Sequence, residues 1–345
     1  MKKLKKKNRN TFIIAEIGPN HNGSFKRASH MIKKLSKSEV DCVKFQLGDP
    51  HKIFSKNSFI ADYQKKNDRR SNIIKIAKSH QLSKKEHLKL SKICKQNDLI
   101  YACTAFDLES LIFLDRTVKV PFFKIASGEV FSIDMLEYIS KQKKPIFLST
   151  GMSTFKDITE ILKRLNKNFK KDITIMHCVS SYPAKKDVLN INLLDELRKK
   201  FNCNIGYSDH SLGNDACLAA VSKGATVIEK HVTLSKRMRG PDHKASATIN
   251  EISSLVKKIN KLEVLLGKPI KKFSKDEINV FKAARKSIAA LNNIPKNKII
   301  KKQDLCFRRP GTGISPFNIS EVIGKRAKID IEKNILIQKN FLNYD

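Results

Sequence analysis

From residue 12 to about residue 266, short β-branched apolar runs alternate with longer stretches whose apolar residues recur at helical spacing. The runs predict strands over 12–17, 41–46, 100–104, 122–126, 145–150, 173–178, 204–208 and 226–232. Amphipathic segments between them, such as 84–96, 158–165 and 214–222, predict helices. Eight strands, each followed by a helix, are the count of a (β/α)8 TIM barrel, an α/β fold. A doubly wound open sheet is the structural rival, but no glycine-rich dinucleotide turn follows the first run. Two connections, 47–78 and 233–248, are long for a compact barrel, and long loops there are commonly functional.

The last segment has a different texture. Residues 294–305 recur as 331–342 with six of twelve positions identical, which predicts a small β-rich module with internal pseudo-symmetry. At about 60 residues such a module is marginal alone and is expected to pack on another surface. The expected organisation is a basic tail over 1–11, a barrel over 12–266, a Lys-rich linker over 267–285 and the module over 286–345.

Composition narrows the class without naming it. With 40% apolar residues the chain buries a real core, which excludes wholesale disorder. Its apolar runs are far short of the ~20 residues of a membrane helix. The Lys-rich start resembles a signal-peptide n-region, yet the apolar stretch after it is interrupted at Glu16 and carries no cleavage site. A cytoplasmic protein is expected. Seven cysteines without paired CxxC spacing predict reduced, buried thiols, not a disulfide framework or a zinc ribbon. The net charge of +36 invites a nucleic-acid reading, but its 69 cations are 56 Lys and 13 Arg, scattered through every region. Phosphate and base recognition favours Arg forks, so the excess reads as a compositional habit, and no nucleic-acid or membrane partner is expected.

The chemistry of a barrel sits at the carboxyl ends of its strands. Those ends carry Glu16, Lys44 with Gln46, Thr104, Lys124 with Ser127, Ser149 with Thr150, His177 with Ser180, Ser208 with His210, and Glu229 with His231. Period-two alternation puts Lys44 and Gln46 on one face, and likewise Ser208 with His210 and Glu229 with His231. Two lysines beside several hydroxyls suit a small anion carrying phosphate or carboxylate groups. His210 and His231 could hold one divalent metal, with Asp209 and Glu229 as ligands, orienters or bases. Two neutral ligands would leave open positions, which suits polarisation of a carbonyl. His21, His177 and His243 are lesser metal candidates, and Cys103 and Cys178 read as buried thiols. Charge logic thus points to a barrel enzyme that binds a phosphorylated acid and activates a carbonyl, with aldol-like condensation as its natural class.

Several motifs then resemble the N-acetylneuraminate (sialic acid) synthase family. They include Phe12-Ile-Ile-Ala-Glu-Ile-Gly-Pro-Asn-His-Asn-Gly23, Val43-Lys-Phe-Gln46, Lys124-Ile-Ala-Ser-Gly-Glu129 and Leu148-Ser-Thr-Gly-Met152. His177-Cys-Val-Ser-Ser-Tyr-Pro183, Gly206-Tyr-Ser-Asp-His-Ser211, Glu229-Lys-His231 and Gly240-Pro-Asp-His-Lys-Ala-Ser246 follow in the same order. Lys286-Ser-Ile288 through Arg308-Arg-Pro-Gly-Thr-Gly313 is similar to that family's C-terminal antifreeze-like (SAF) module.

The resemblance implies condensation of phosphoenolpyruvate with an open-chain N-acetylhexosamine, N-acetylmannosamine first, to give a nonulosonic acid and phosphate. It implies a divalent cation, Mn2+ or else Mg2+ or Co2+, held by His210 and His231. It implies that Lys44, Thr104, Lys124, Ser127, Ser149 and Ser208 hold phosphoenolpyruvate, and that Glu129 is placed for proton transfer. Glu16, Gln46, Tyr182 and Asp242 match sugar contacts, and Ser180 stands where some members have Asn. It also implies a homodimer whose antifreeze-like module covers the partner's barrel mouth, with Arg309 reaching towards the N-acetyl group. On chemical grounds Glu229 is the candidate to orient the water that adds to carbon 2 or to shuttle its proton. Alternatives are a 2,4-diacetamido-dideoxy sugar giving legionaminate or pseudaminate, and a phosphoenolpyruvate aldolase making a sugar-phosphate acid. From another class, the module could bind ice or carbohydrate and the basic surface nucleic acid.

Overall fold

The structure, a computed structural model, describes residue 4, residues 9–61, residue 65, residues 72–165 and residues 172–344. Most of the basic tail expected over 1–11 lies outside the described residues, as do 62–64 and 66–71 of the long connection after the second strand. The chain divides into two units, Met1–Gly267 and Lys268–Asp345.

In the first unit, alternation sorts each strand into an inner and an outer face. β1 (Phe12–Glu16) sends Phe12 and Ile14 to one cluster and Ile13 and Ala15 to another. β2 (Cys42–Leu47) does the same with Cys42 against Val43, Phe45 and Leu47. β3 (Ile100–Ala105), β4 (Phe123–Ile125), β5 (Ile146–Ser149), β6 (Ile173–Cys178), β7 (Asn204–Asp209) and β8 (Val227–Thr233) complete the set. The ladder is parallel throughout in the order β3-β2-β1-β8-β7-β6-β5-β4, and β3 packs beside β4 to bring the ring almost to closure.

The inner cluster draws residues from around the ring: Phe12, Cys42, Ala102, Phe122, Phe147, Met176 and Val227. Phe122 and Phe147 have ring centroids 4.4 Å apart, and Phe12 lies 6.1 Å from each. Each buried Phe contributes roughly 1.5–3 kcal/mol of transfer free energy. Together they plug the lower half of the barrel, so side chains at the strands' carboxyl ends can be reached only from above.

Eight helices follow the strands in turn: α1 (Phe25–Leu35), α2 (Lys84–Gln96), α3 (Leu108–Phe113), α4 (Ile133–Ser140), α5 (Phe155–Arg164), α6 (Leu193–Phe201), α7 (Asp215–Ser222) and α8 (Ile249–Leu266). Capping boxes fix the starts of three of them, pairing Ser83 with Glu86, Thr154 with Asp157 and Thr248 with Glu251. The α/β barrel expected from periodicity is present, with strand limits within one or two residues of those expected. Among the described residues no helix is long and apolar enough to cross a membrane.

The second unit is organised by its repeat. Each copy runs through a bridging Ile (Ile294, Ile331), a turn with a left-handed Asn (Asn297 at φ 67°, Asn334 at φ 66°), a 3-10 turn (Lys302–Asp304, Lys339–Phe341) and a strand (Leu305–Arg308, Leu342–Asn343). The copies bond reciprocally: Ile294 N donates to Ile331 O and Ile331 N to Ile294 O, both at 2.8 Å. Ile288, Ile294, Ile300, Ile331 and Ile337 fill the core between them. The stretch 267–285, expected as a linker, carries the helix Glu277–Ala284, which its lysines concealed. Ser274 N donates to Glu277 Oε2 at 2.7 Å, and Phe273 packs on Phe281 with centroids 5.1 Å apart.

Candidate active site

Strand register sets the polar ends side by side. Glu16 lies between Lys44 of β2 and His231 of β8, Gln46 beside Thr104, and Ser208 between Cys178 and Glu229. The alternation that buries Phe12 and Ile14 low in the barrel delivers Glu16 above them, and Lys44 and Gln46 follow Cys42 in the same way. These side chains line a cavity of about 450 Å³.

Two lysines and two carboxylates form one ionic network in that cavity. Lys44 Nζ stands 2.8 Å from Glu16 Oε2 and 3.8 Å from Glu229 Oε2, and donates to Thr104 Oγ1 at 2.7 Å. Lys124 Nζ lies 3.5 Å from Glu229 Oε1 and donates to Ser149 Oγ at 2.6 Å. Gln46 Nε2 donates to Glu16 Oε1 at 2.8 Å, and Ser208 Oγ to Glu229 Oε1 at 3.1 Å. All four charged side chains are buried, so each acts on its neighbours with little screening.

The two carboxylates have opposite fates. Burial pushes the Glu16 carboxyl up to about 7, with Lys44 offsetting part of the rise. Burial pushes Glu229 upward as well, but Lys124 and Lys44 together outweigh it and hold Glu229 below its ordinary range. The lysines also diverge: burial lowers Lys124 against the pull of Glu229, whereas Glu16 and Glu229 keep Lys44 above its ordinary value despite burial. Paired groups driven apart in this way can serve as acid and base in one site.

In the same cavity His210 and His231 have ring centroids 5.4 Å apart, and Tyr182 packs on His210 at 4.2 Å. A carbonyl can only accept, so His210 Nδ1 donates to Val179 O at 2.7 Å and its Nε2 keeps a free lone pair. Burial, His210 and the lysines keep His231 neutral, and its buried Nδ1 has no hydrogen-bond partner. Asp242 Oδ2 is 3.6 Å from that nitrogen, and burial pushes Asp242 up to about 7. Among the described residues no group of three or more His, Cys, Asp or Glu converges as a metal cluster. The two neutral imidazoles, one nitrogen of each unclaimed, fit an ion that takes most of its ligands from substrate and water.

Glu229 and every barrel residue that the family resemblance assigned to substrate or metal line this cavity, whereas Glu129 does not. Ser132 Oγ donates to Glu129 Oε2 at 2.6 Å, just ahead of α4. Gly151 fits where Ser180 Oγ, Cys178 Sγ and Ser127 Oγ converge, with no room for a Cβ, and its N donates to Ser127 Oγ at 3.0 Å. Arg309 belongs to the second unit and is exposed there. Asp209 faces outward, accepting from Lys230 Nζ at 2.5 Å and from Ser211 N at 2.9 Å, which braces the turn that carries His210. Among the lesser candidates, Thr150 Oγ1 donates to Met176 O, His177 Nε2 donates to Leu189 O, and His243 bonds to Thr233 Oγ1. Cys178 lines the cavity, whereas Cys103 is buried off it. The sequence reading missed the apolar lining from the β2 connection: Ile53, Phe54, Ile73 and Ile76. Its one available signal was the length of that connection.

Residues 31–271 match the NeuB family and residues 285–343 match the SAF domain. The chain is 38% identical over 334 residues to N,N'-diacetyllegionaminic acid synthase of Campylobacter jejuni, covering 95% of this chain and 99% of that protein. It is 34% identical over 325 residues to the enzyme of the same name from Legionella pneumophila, covering 93% and 91%. The crystal structure of N-acetylneuraminic acid (sialic acid) synthetase from Leptospira borgpetersenii superposes with a TM-score of 0.71 at 30% identity, covering 79% of this chain and 90% of that one. With a family match over most of the barrel and such identity along nearly its whole length, this chain belongs to the NeuB family of sialic-acid-synthase-type enzymes and ends in a SAF domain.

Proposed function

We propose that the protein condenses phosphoenolpyruvate with an open-chain N-acylated hexosamine and water, giving a nonulosonic acid and inorganic phosphate. The favoured sugar is a 2,4-diacetamido-dideoxy hexose with a legionaminate-type product. Relatives named for N,N'-diacetyllegionaminic acid are 38% and 34% identical, against 30% for the sialic acid synthetase structure. The motifs alone place N-acetylmannosamine first, and that sugar remains the second reading because the Leptospira fold matches at a TM-score of 0.71.

The observation that carries the reading is Glu229 set between two buried lysines, in one cavity with two neutral imidazoles. Lys44 and Lys124 offset part of the charge of a trianionic donor. Thr104 and Ser149 accept from these lysines, so their own O–H groups are left to donate to phosphate or carboxylate oxygens. Carbon 3 of phosphoenolpyruvate attacks the aldehyde and forms the new carbon–carbon bond. Water adds at carbon 2, and the bond from carbon 2 to the bridging oxygen then breaks as phosphate leaves. Glu229 orients that water and takes its proton; one water proton ends on the alkoxide formed from the aldehyde oxygen and the other on the departing phosphate as the C2 ketone forms, while Glu16, Gln46, Tyr182 and Asp242 face the sugar. His210 and His231 would hold a divalent cation, Mn2+ or else Mg2+ or Co2+, which when bound polarises the aldehyde oxygen. Following the family resemblance, the protein works as a homodimer in which Arg309 of one copy reaches the sugar's N-acetyl group in the other; Arg309→Ala then raises the sugar KM without unfolding the barrel.

The test is incubation with phosphoenolpyruvate, Mn2+ and a panel of N-acetylated hexoses, following phosphate release and product mass. Turnover of a diacetamido sugar above N-acetylmannosamine supports the first reading and the reverse order supports the second. Turnover of none overturns the assignment.

A further inference from the structure

His210 and His231 stand on neighbouring strands, and the last residue pair that joins β7 to β8 is Asp209 with Lys230. Each imidazole belongs to the next residue along its chain. Alternation therefore sends the two histidines into the cavity and leaves Asp209 and Lys230 buried on the opposite face. On its other side each histidine has a backbone neighbour: His231 pairs with Glu16 of β1, and His210 O accepts from Ala184 N at 3.0 Å. Among the described residues no backbone pair joins His210 to β8, and the side chains of Asp209 and Lys230 take that place.

Lys230 Nζ donates to Asp209 Oδ2, on the residue before His210, and to Ser211 O at 2.8 Å, on the residue after it. One ammonium from β8 thus brackets His210. Asp209 Oδ1 accepts from Ser211 N at 2.9 Å, Ser211 Oγ at 2.7 Å and Tyr207 Oη at 3.3 Å, and Oδ2 also accepts from Cys217 Sγ of α7 at 3.2 Å. Both charged side chains are at most 2% exposed. A buried ion pair adds little net stability, because desolvation consumes most of its attraction, and a packed apolar pair is often as stable. What the apolar pair lacks is direction, and a metal constellation has to be held within about 0.5 Å of its working geometry. The two rings also differ in their own support. His210 Nδ1 donates to Val179 O at 2.7 Å, whereas His231 Nδ1 has no hydrogen-bond partner, so the place of His231 depends on where β8 carries it. Resting on the metal reading above, we infer that Asp209 and Lys230 are a positioning pair that sets the spacing of the two imidazoles for one divalent cation. Neither residue lines the cavity; both act through the histidines beside them.

The experiment is Mn2+ calorimetry and Mn2+ electron paramagnetic resonance on the full-length protein, chelated and then reloaded. The double variant Asp209→Asn/Lys230→Met removes both charges together, so no buried charge is left unpaired, and its urea midpoint is expected to stay near that of wild type. Its Kd for Mn2+ is expected to rise about 10–100-fold, with a changed resonance line shape. Affinity of the metal-free protein for phosphoenolpyruvate should move by less than about two-fold, because Lys44, Lys124, Thr104 and Ser149 are fixed by other contacts. Lys230→Arg, which keeps the charge and can span both acceptors, is expected to bind Mn2+ within a few-fold of wild type. Lys230→Gln is a milder change that keeps a donor for Ser211 O, and gives a second measurement should the double variant not fold; its Kd for Mn2+ is expected to rise several-fold. Wild-type Mn2+ affinity in the double variant or in Lys230→Gln, or a loss in Lys230→Arg as large as in the double variant, overturns the positioning role and leaves the metal reading standing. A wild-type protein that binds none of Mn2+, Mg2+ and Co2+ overturns the metal reading itself, and the role with it.

Discussion

Lys124 Nζ and Glu229 Oε1 face each other at 3.5 Å across the inside of the barrel, from strands on opposite sides of the ring. Such a contact is possible because an eight-stranded barrel is only wide enough for side chains to meet across its axis. Ser208 Oγ takes the same carboxylate oxygen, and Glu229 Oε2 has no hydrogen-bond partner, with Lys44 Nζ 3.8 Å away. Glu229 is therefore held in place by charge on two sides, with one oxygen open to the water of the proposed reaction. Glu229→Gln keeps the size and the Ser208 bond while removing the base, so kcat is expected to fall roughly 10²–10⁴-fold. Calorimetric affinity for phosphoenolpyruvate should not weaken, because an anion has been removed from an anion site. Turnover within a few-fold of wild type would exclude this role.

The two lysines are not equivalent, and their variants separate binding from folding. Either Lys44→Met or Lys124→Met removes a charge-assisted contact to the donor, and KM for phosphoenolpyruvate is expected to rise on the order of 10–100-fold. Lys44→Met also strips Glu16 of its 2.8 Å partner and drives its buried carboxyl towards the neutral form, so a loss of stability is expected. Lys124→Met leaves Glu229 with Lys44 and Ser208, so a smaller loss is expected. Urea midpoints of the two variants, compared at one pH, check the order.

The barrel and its polar rim were legible in the sequence because alternation is a local property. Lys44 and Gln46, and Glu229 and His231, are each two apart on a strand and so share a face, His210 continues the alternation from Ser208 just past the end of β7, and all six line the cavity. The repeat was legible for the same reason, and its two asparagines take the same left-handed turn. The place of Glu129 was not legible, because it depends on the path of a turn in which Glu129 N bonds to Ala126 O before α4 begins. Nor was the apolar lining, since Ile73 and Ile76 read like any core-facing pair until the long connection is folded over the cavity. The opposite shifts of Glu16 and Glu229 arise from burial and from lysines of β2 and β4, distant in sequence, and no local pattern encodes them.

The two imidazoles give a test with a readout besides turnover. Chelation is expected to abolish activity and added Mn2+ to restore it, while His210→Gln and His231→Gln raise the Kd for Mn2+ at least 100-fold by calorimetry. Phosphoenolpyruvate should still bind the chelated protein, because Lys44, Lys124, Thr104 and Ser149 are fixed by one another and by the carboxylates. Loss of that binding together with the metal would mean that the cation, and not the lysine pair, anchors the donor.

His87 supplies a pH test away from the cavity. Its Nδ1 meets the Tyr101 hydroxyl at 2.7 Å, its Nε2 has no partner, and burial lowers it to about 4; burial likewise lowers His21 to about 3. Between pH 6.5 and 4 the unfolded chain takes up a proton at each of these histidines and the native protein does not. Their contribution is therefore complete above pH 6.5 and is lost as pH falls, at about 1.4 kcal/mol per unit for each. Glu16 and Asp242, pushed up to about 7, oppose this over the same window, because there the native state binds the extra proton. The discriminating quantity is thus the difference between wild type and His87→Gln, which cannot titrate yet can still bond to Tyr101. Measured by urea unfolding at pH 7.5, 6 and 5, the variant is expected to gain on wild type by about 1.4 kcal/mol for each unit below 6.5. A constant difference across that range would mean that His87 is protonated in the folded protein.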